Sequence, residues 1–158
     1  MKILAVDQSL TSTGWTVLED AQLISYGLIT SDKNKTNYER AIDVSDEIYE
    51  LHEKNKPDKF VLEGLPFMSR SNVTRDLAGL QFLVVDRILR DMVIECIDVI
   101  PPTKLKKFAT GSGKASKEEM YEALPPEVKA KFSSTLKTKG RYDLTDSYWL
   151  AKIGEKDE

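Results

Sequence analysis

The chain has 158 residues, a net charge of −3, 31% charged and 41% hydrophobic residues, and one cysteine, Cys96. That length suits a single domain, 1–158, with a real core. No apolar run approaches the roughly 18 residues of a membrane span, the N-terminus lacks the features of a secretory leader, and one cysteine excludes an internal disulfide, so a cytoplasmic location is expected.

Residues 2–6, 15–19 and 22–30 read as strands, the last two joined by a tight turn at Asp20 and Ala21. The first strand ends on a carboxylate, Asp7. Residues 36–55 are polar, with Tyr38, Ile42, Ile48 and Leu51 at helical spacing; they predict an amphipathic helix on which His52 is a solvated surface side chain. Pro57 and Asp58 break it. Phe60, Val61 and Leu62 form a short apolar run, suited to a buried strand, that again ends on an acid, Glu63. From 73 to about 92 the positions Leu77, Leu80, Val84, Ile88 and Met92 recur at three- and four-residue steps and predict a second long helix. Residues 96–100 read as a further strand, stopped by Pro101 and Pro102. Short helices are expected over 103–109 and 116–124, the latter opened by a capping box of Ser116 and Glu119. Residues 133–140 read as a mobile loop before a last helix from about 142 to 153. Strand–hairpin–strand, then helix–strand–helix–strand, then helices, defines an α/β domain with a mixed sheet. There is no internal repeat, low-complexity tract or linker.

Two strands therefore deliver an acid at their carboxyl ends, the edge where ligands gather in open α/β sheets. Near the C-terminus Asp143 and Asp146 stand three residues apart, on one face of a helix. Singly, Asp7 reads as well as a cap or turn, and the last pair as acids decorating a helix start. Jointly they read differently. Four carboxylates brought together repel one another and raise their pKa values, and a divalent cation compensates such a cluster. An all-oxygen set points to Mg²⁺ or Mn²⁺ rather than zinc. Two such ions, about 3.5–4 Å apart, could activate a water and stabilise the leaving oxygen of a phosphodiester.

The charge is also unevenly spread. Residues 101–141 hold ten Lys or Arg against four Glu, a net of +6, on a remainder of −9. Lys104, Lys106 and Lys107, crowded before a glycine turn, suit a polyanion. The segment GSGKAS (111–116) only superficially resembles a P-loop: Phe108 stands where the first glycine is required, and Ala115 replaces the Ser or Thr that would hold Mg²⁺. No nucleotide cofactor is expected; the glycines permit a turn into a helix whose start, with Lys114 and Lys117, meets a phosphate. Arg70 and Arg75 read equally as backbone contacts or as ordinary surface charge.

ILAVDQSLTSTGW, FVLEGLPFM, LAGLQFLVVDRIL, PPTKLKKFATGSGKASKEEM and YDLTDSYWLA cover nearly the whole chain. In order and spacing they resemble the RuvC-type Holliday junction resolvases of the ribonuclease H-like superfamily, as a divergent, phage-type member. The resemblance implies a mixed five-stranded sheet, three antiparallel strands plus two parallel, flanked by helices. It implies that Asp7, Glu63, Asp143 and Asp146 are a catalytic tetrad for two Mg²⁺ ions, with Mn²⁺ as a substitute, and that Asp7 bridges both. Lys117 falls where the family has a catalytic or phosphate-contacting lysine, and Lys106 and Lys107 where it has basic DNA contacts. The implied protein is a homodimer, packed partly through the second long helix, with two active sites facing the crossover of a four-way DNA junction. The implied activity is structure-selective nicking of branched DNA in recombination and repair, leaving 5′-phosphate ends. Two departures are visible: Gln8 and Ser9 stand where the family has Pro-Gly, and Phe67, the counterpart of an aromatic near the crossover bases, lies four rather than three residues after Glu63. Two alternatives use the same features: a ribonuclease H-like nuclease on RNA–DNA hybrids, and a non-catalytic junction-binding module.

Overall fold

Along β1 (Lys2–Asp7), Ile3 and Ala5 point to one side of the sheet and Leu4 and Val6 to the other, all four fully buried. A central strand covered on both faces has this pattern. The computed structural model, which describes residues 1–65, 72–91, 97–133 and 138–156, builds a five-stranded sheet around it. β2 (Ser12–Glu19) pairs antiparallel with β1, and β3 (Gln22–Thr30) antiparallel with β2. β4 (Lys59–Glu63) runs parallel to β1 and β5 (Ile97–Ile100) parallel to β4, giving the order β3-β2-β1-β4-β5. Asp20 and Ala21 both have positive φ, 48° and 66°, as a tight hairpin of right-handed twist demands.

One face of the sheet, through Leu4, Val6, Val17, Ile29, Phe60 and Leu62, is covered by α1 (Asn37–Asn55) and α2 (Asn72–Asp91). The other, through Ile3, Ala5, Leu18, Val61 and Ile100, carries α3 (Pro102–Thr110), α4 (Lys117–Glu122), α5 (Pro126–Ser133) and α6 (Thr138–Gly154).

Capping boxes open α1, at Thr36 and Glu39, and α4, at Ser116 and Glu119. Pro102 ends the path from β5 and begins α3, where a missing N–H and a fixed φ cost nothing. Leu80, Val84 and Ile88 are buried on α2 as their spacing predicts, while Met92 and Cys96 lie outside the described residues.

Three expectations are corrected. The buried stripe of α1 is Ala41, Val44, Ser45, Ile48 and His52, whereas Tyr38 is 80% exposed and Ile42 51%; the larger apolar side chains mark a second, outward stripe. His52 is fully buried, edge-on to the Phe60 ring at 6.0 Å, with neither ring nitrogen hydrogen-bonded. Third, the expected loop at 133–140 is partly helical. α5 ends at Ser133 and buries Val128 and Phe132, and α6 begins at Thr138, four residues ahead of the expected start.

The far end of α6 is tethered to the sheet. Lys59 Nζ, buried, donates to the Gly154 carbonyl at 2.9 Å and pairs with Asp98 at 2.7 Å. A cation at a helix C-terminus is favoured by the helix dipole, and here it ties α6 to β4 and β5.

Candidate active site

The site forms where β1, β4 and α6 meet. Asp7 is the last residue of β1 and Glu63 the last of β4; because Val6 pairs with Leu62 in parallel register, the two acids leave neighbouring strands side by side. α6 brings the remaining pair, and β2 explains how it comes so near. Ser12, Gly14 and Thr16 alternate along β2 and so share one face. A Cβ added at Gly14 would lie 2.1 Å from the Asp143 carbonyl oxygen, so α6 rests on bare strand there. On either side, Ser12 Oγ donates to Asp143 Oδ2 at 2.7 Å, and the Thr16 and Ser147 hydroxyls meet at 2.7 Å in a buried contact. These three small residues position Asp143 and Asp146. They had a legible signal, small side chains at period two in a strand.

The four acids are drawn out of water together. Asp7, Asp143 and Asp146 are buried and Glu63 partly so. Burial first, then the charges of Glu63 and Asp146, pushes the Asp7 carboxyl well above its ordinary range. Burial also raises Glu63, with the Asp146 charge adding to it and the hydrogen bond from Asp7 opposing it. Asp146 is raised by burial and by Asp143, against the pull of Lys117 and Lys106. Desolvation thus outranks mutual repulsion as the cause.

Lys117 opens α4 and lays its ammonium on Asp146, Nζ to Oδ2 at 2.7 Å. Burial works against that charge, but Asp146, Asp7 and Asp143 outweigh it and hold the lysine above its usual range. Trp149 of α6 fixes α4 in place, its Nε1 donating to the Met120 carbonyl at 3.0 Å. Lys117 thus covers Asp146, and the Ser12 hydroxyl holds Asp143. Among the described residues, no group of three or more His, Cys, Asp and Glu side chains stands ready-made to hold a metal ion. The chemistry of the donor set nevertheless fits a hard cation: it is all oxygen, and burial and like charge raise its acids, a burden that a bound cation relieves.

Beside the acids opens a cleft of about 290 Å³, lined among others by Gln8, Glu63, Lys106, Lys117 and Asp146. Of the three α3 lysines, Lys106 faces this cleft. Lys104 and Lys107 line a separate depression with Phe108, Ile153 and Lys156. Lys114 is exposed in the turn that Gly111 begins at φ 85°, a conformation suited to glycine. The GSGKAS segment forms helix caps: the Gly111 N–H donates to Lys107 at 2.8 Å, and Ser116 caps α4. Arg75 is exposed beside Asp76 on the α1/α2 side of the sheet, away from the acids. Phe67 and Arg70 lie outside the described residues.

The sheet order, the strand directions and the acids at the carboxyl ends of β1 and β4 define a ribonuclease H-like fold. No family model matches the chain. Its sequence is similar to the crossover junction endodeoxyribonuclease RuvC of Synechococcus sp. (strain WH7803), 27% identical over 134 residues that cover 81% of this chain and 84% of that protein. The structure of Thermus thermophilus RuvC in complex with a Holliday junction substrate superposes with a TM-score of 0.71, at 18% identity, over 96% of this chain and 90% of the other. The fowlpox virus resolvase, solved with its substrate Holliday junction DNA, gives 0.60 at 15% identity over 98% and 96%. The chain is thus similar in sequence and in fold to the RuvC-type resolvases.

Proposed function

We propose that this protein is a crossover junction endodeoxyribonuclease, which resolves four-way and related branched DNA by paired nicks in recombination and repair. The observation that carries the reading is that Glu63 and Asp146 line one cleft with Lys106 and Lys117, while the charges of Glu63 and Asp146 bear on Asp7 and that of Asp143 bears on Asp146. Similarity to RuvC over most of the chain supports it, as does the likeness to two resolvases solved on junction DNA.

The four carboxylates would hold divalent metal, Mg²⁺ with Mn²⁺ as substitute; two ions are the number we infer. Bound there, the metal would supply Lewis-acid stabilisation of the charge on the attacking and leaving oxygens of a phosphodiester. The chain's own residues do the rest. Buried walls at Asp7 and Asp146 keep the acids in a poorly solvated place where charge acts strongly. Lys106 and Lys117 offer positive charge to the scissile phosphate. Lys104, Lys107 and Lys114, with Arg70, are further contacts to the DNA backbone, which carries shape rather than sequence information, while Arg75 lines the groove between α1 and α2. Cleavage leaves a 5′-phosphate and a 3′-hydroxyl, ends fit for ligation. The protein's place is the cytoplasm, with the DNA.

The functional unit we infer is a homodimer. Tyr38, Ile42, Val73, Phe82 and Leu83 are all exposed, and α1 and α2 enclose an apolar groove of about 830 Å³. An apolar patch on a helical face marks an interaction site, and two copies joined there would present two cleavage sites to one junction.

The test is incubation of a synthetic four-way junction with the protein, with and without Mg²⁺, beside linear duplex and RNA–DNA hybrid. Symmetric nicks in the junction alone, only with Mg²⁺, are expected. Faster cutting of the hybrid would favour a ribonuclease H-type nuclease; junction binding with no cleavage in any metal would favour a non-catalytic module.

A further inference from the structure

Gln8 follows Asp7 directly, is 4% exposed, and lines the acid cleft. Its amide is oriented by what it touches. Nε2 donates to the Glu63 carbonyl at 3.4 Å; that carbonyl can only accept, so the nitrogen must face it and Oε1 must face elsewhere. Oε1 is buried and, among the described residues, accepts no hydrogen bond. A buried acceptor without a partner is costly, and a native fold keeps one only for a reason.

Tethering Glu63 is a poor reason. The same Glu63 carbonyl already accepts from Gln81 Nε2 at the shorter distance of 3.1 Å. Nor does Lys117 supply the missing donor, since its ammonium is held by Asp146. Lys106 lines the same cleft but makes no hydrogen bond to Oε1; water in the shell of a hard cation is a donor able to sit among carboxylates, because small divalent cations keep several of their waters.

We infer that Gln8 is a positioning residue of the metal site, its Oε1 accepting a hydrogen bond from the hydration shell of a divalent cation held by the neighbouring acids. The inference rests on the metal-dependent reading above and adds to it an uncharged fifth oxygen, from a side chain that makes no demand on the site's charge. Replacing such an outer partner of a metal site typically weakens metal binding about ten- to a hundredfold.

The experiment measures Mn²⁺ binding directly, by electron paramagnetic resonance of the free ion, in the unaltered protein, Gln8→Met and Gln8→Glu. Thermal melts establish which variants are folded. Gln8→Met keeps the length and loses both polar atoms; Gln8→Glu keeps an oxygen and loses the N–H that reaches Glu63. Mn²⁺ affinity should fall about tenfold or more in Gln8→Met and be kept or strengthened in Gln8→Glu. Unchanged affinity in Gln8→Met, or equal loss in both, overturns the inference, the second outcome assigning Gln8 to the support of Glu63. If one variant does not fold, the other decides by the same criterion. No Mn²⁺ binding in the unaltered protein overturns the metal-site reading itself, and the inference with it.

Discussion

The carbonyl oxygen of Asp143 lies so close over Gly14 that a Cβ on the glycine would stand 2.1 Å from it. Asp7 pairs with Gly14 across β1 and β2, so this single bare position sets the approach of the α6 acids to the strand acids. Gly14→Ala must push α6 off the sheet, because the obstacle is backbone and cannot rotate away. Overpacking of this kind costs about 1–3 kcal/mol, and the displaced Asp143 also loses the Ser12 hydroxyl. Urea denaturation should show the lower midpoint, and junction cleavage should fall by more than lost folded protein explains. A variant with native stability would show that α6 is not seated on Gly14.

Asp7→Asn separates stability from chemistry. The folded state holds the Asp7 carboxyl well above its ordinary range, through burial and then the Glu63 and Asp146 charges. A raised acid favours the fold while protonated and burdens it as pH rises through the raised value, because the unfolded chain ionises freely. Asparagine removes that burden. Melts at neutral pH should show a gain on the order of 1 kcal/mol, shrinking toward pH 4, together with loss of Mg²⁺-dependent cleavage and retained junction binding. Equal stability of the two proteins at neutral pH would contradict the desolvated carboxyl.

His52 gives the opposite slope. It is buried against Phe60 with no hydrogen bond to either nitrogen among the described residues, the Glu53 carboxylate standing 4.0 Å from Nδ1, and desolvation first, then the Lys56 charge, lowers its pKa against a counter-pull from Glu53. The unfolded histidine therefore takes up its proton before the folded one does, and stability present above the ordinary histidine value is lost as pH falls below about 6.5. His52→Leu should flatten the pH dependence of the melting temperature between about pH 6.5 and 5. An unaltered slope would place the acid sensitivity elsewhere.

These residues also mark how far the sequence could be read. The Asp20–Ala21 turn, the Ser116–Glu119 capping box and the acids at 7 and 63 depend on local pattern and stand where the pattern puts them, whereas β2 starts at Ser12, three residues ahead of the expected Trp15, because its small polar residues carry no apolar alternation. Asp143 and Asp146 share a helical face whichever residue starts the helix. His52 was illegible because polarity predicts exposure, whereas the i, i+4 partner that decided its side was Ile48, with Ala41 and Val44 too small to announce the core face. α5 was hidden because Val128 and Phe132 alone are too few to set a period over eight residues. Which α3 lysine meets the acids was undecidable, since that depends on how α3 docks on α6, a tertiary matter.

That division among the lysines can be measured. Lys106 lines the cleft and its charge bears on Glu63 and Asp146, while Lys104 and Lys107 line the depression around Phe108. Each lysine that meets a phosphate contributes about −0.9 to the slope of log affinity against log salt. Lys106→Ala should lower the slope by roughly one unit and slow cleavage at saturating junction. Lys107→Ala should lower the slope similarly but leave the saturated rate unchanged. Equal effects of both on the saturated rate would place the two lysines in one role.

The proposed dimer makes the remaining prediction. Phe82 is 77% exposed on α2, near the exposed Tyr38 and Ile42 of α1 across the groove. Removing an exposed side chain from a monomer is nearly neutral, within about 0.5 kcal/mol, so a charge there should harm assembly far more than folding. Phe82→Glu should melt as the unaltered chain does when both are monomeric, sediment as a monomer where the unaltered chain sediments as a dimer, and lose paired nicking of a single junction. Because each copy carries a whole set of acids, the variant should still make single nicks at a reduced rate. An unaltered chain that sediments as a monomer at micromolar concentration and still nicks both strands in one encounter would overturn the arrangement.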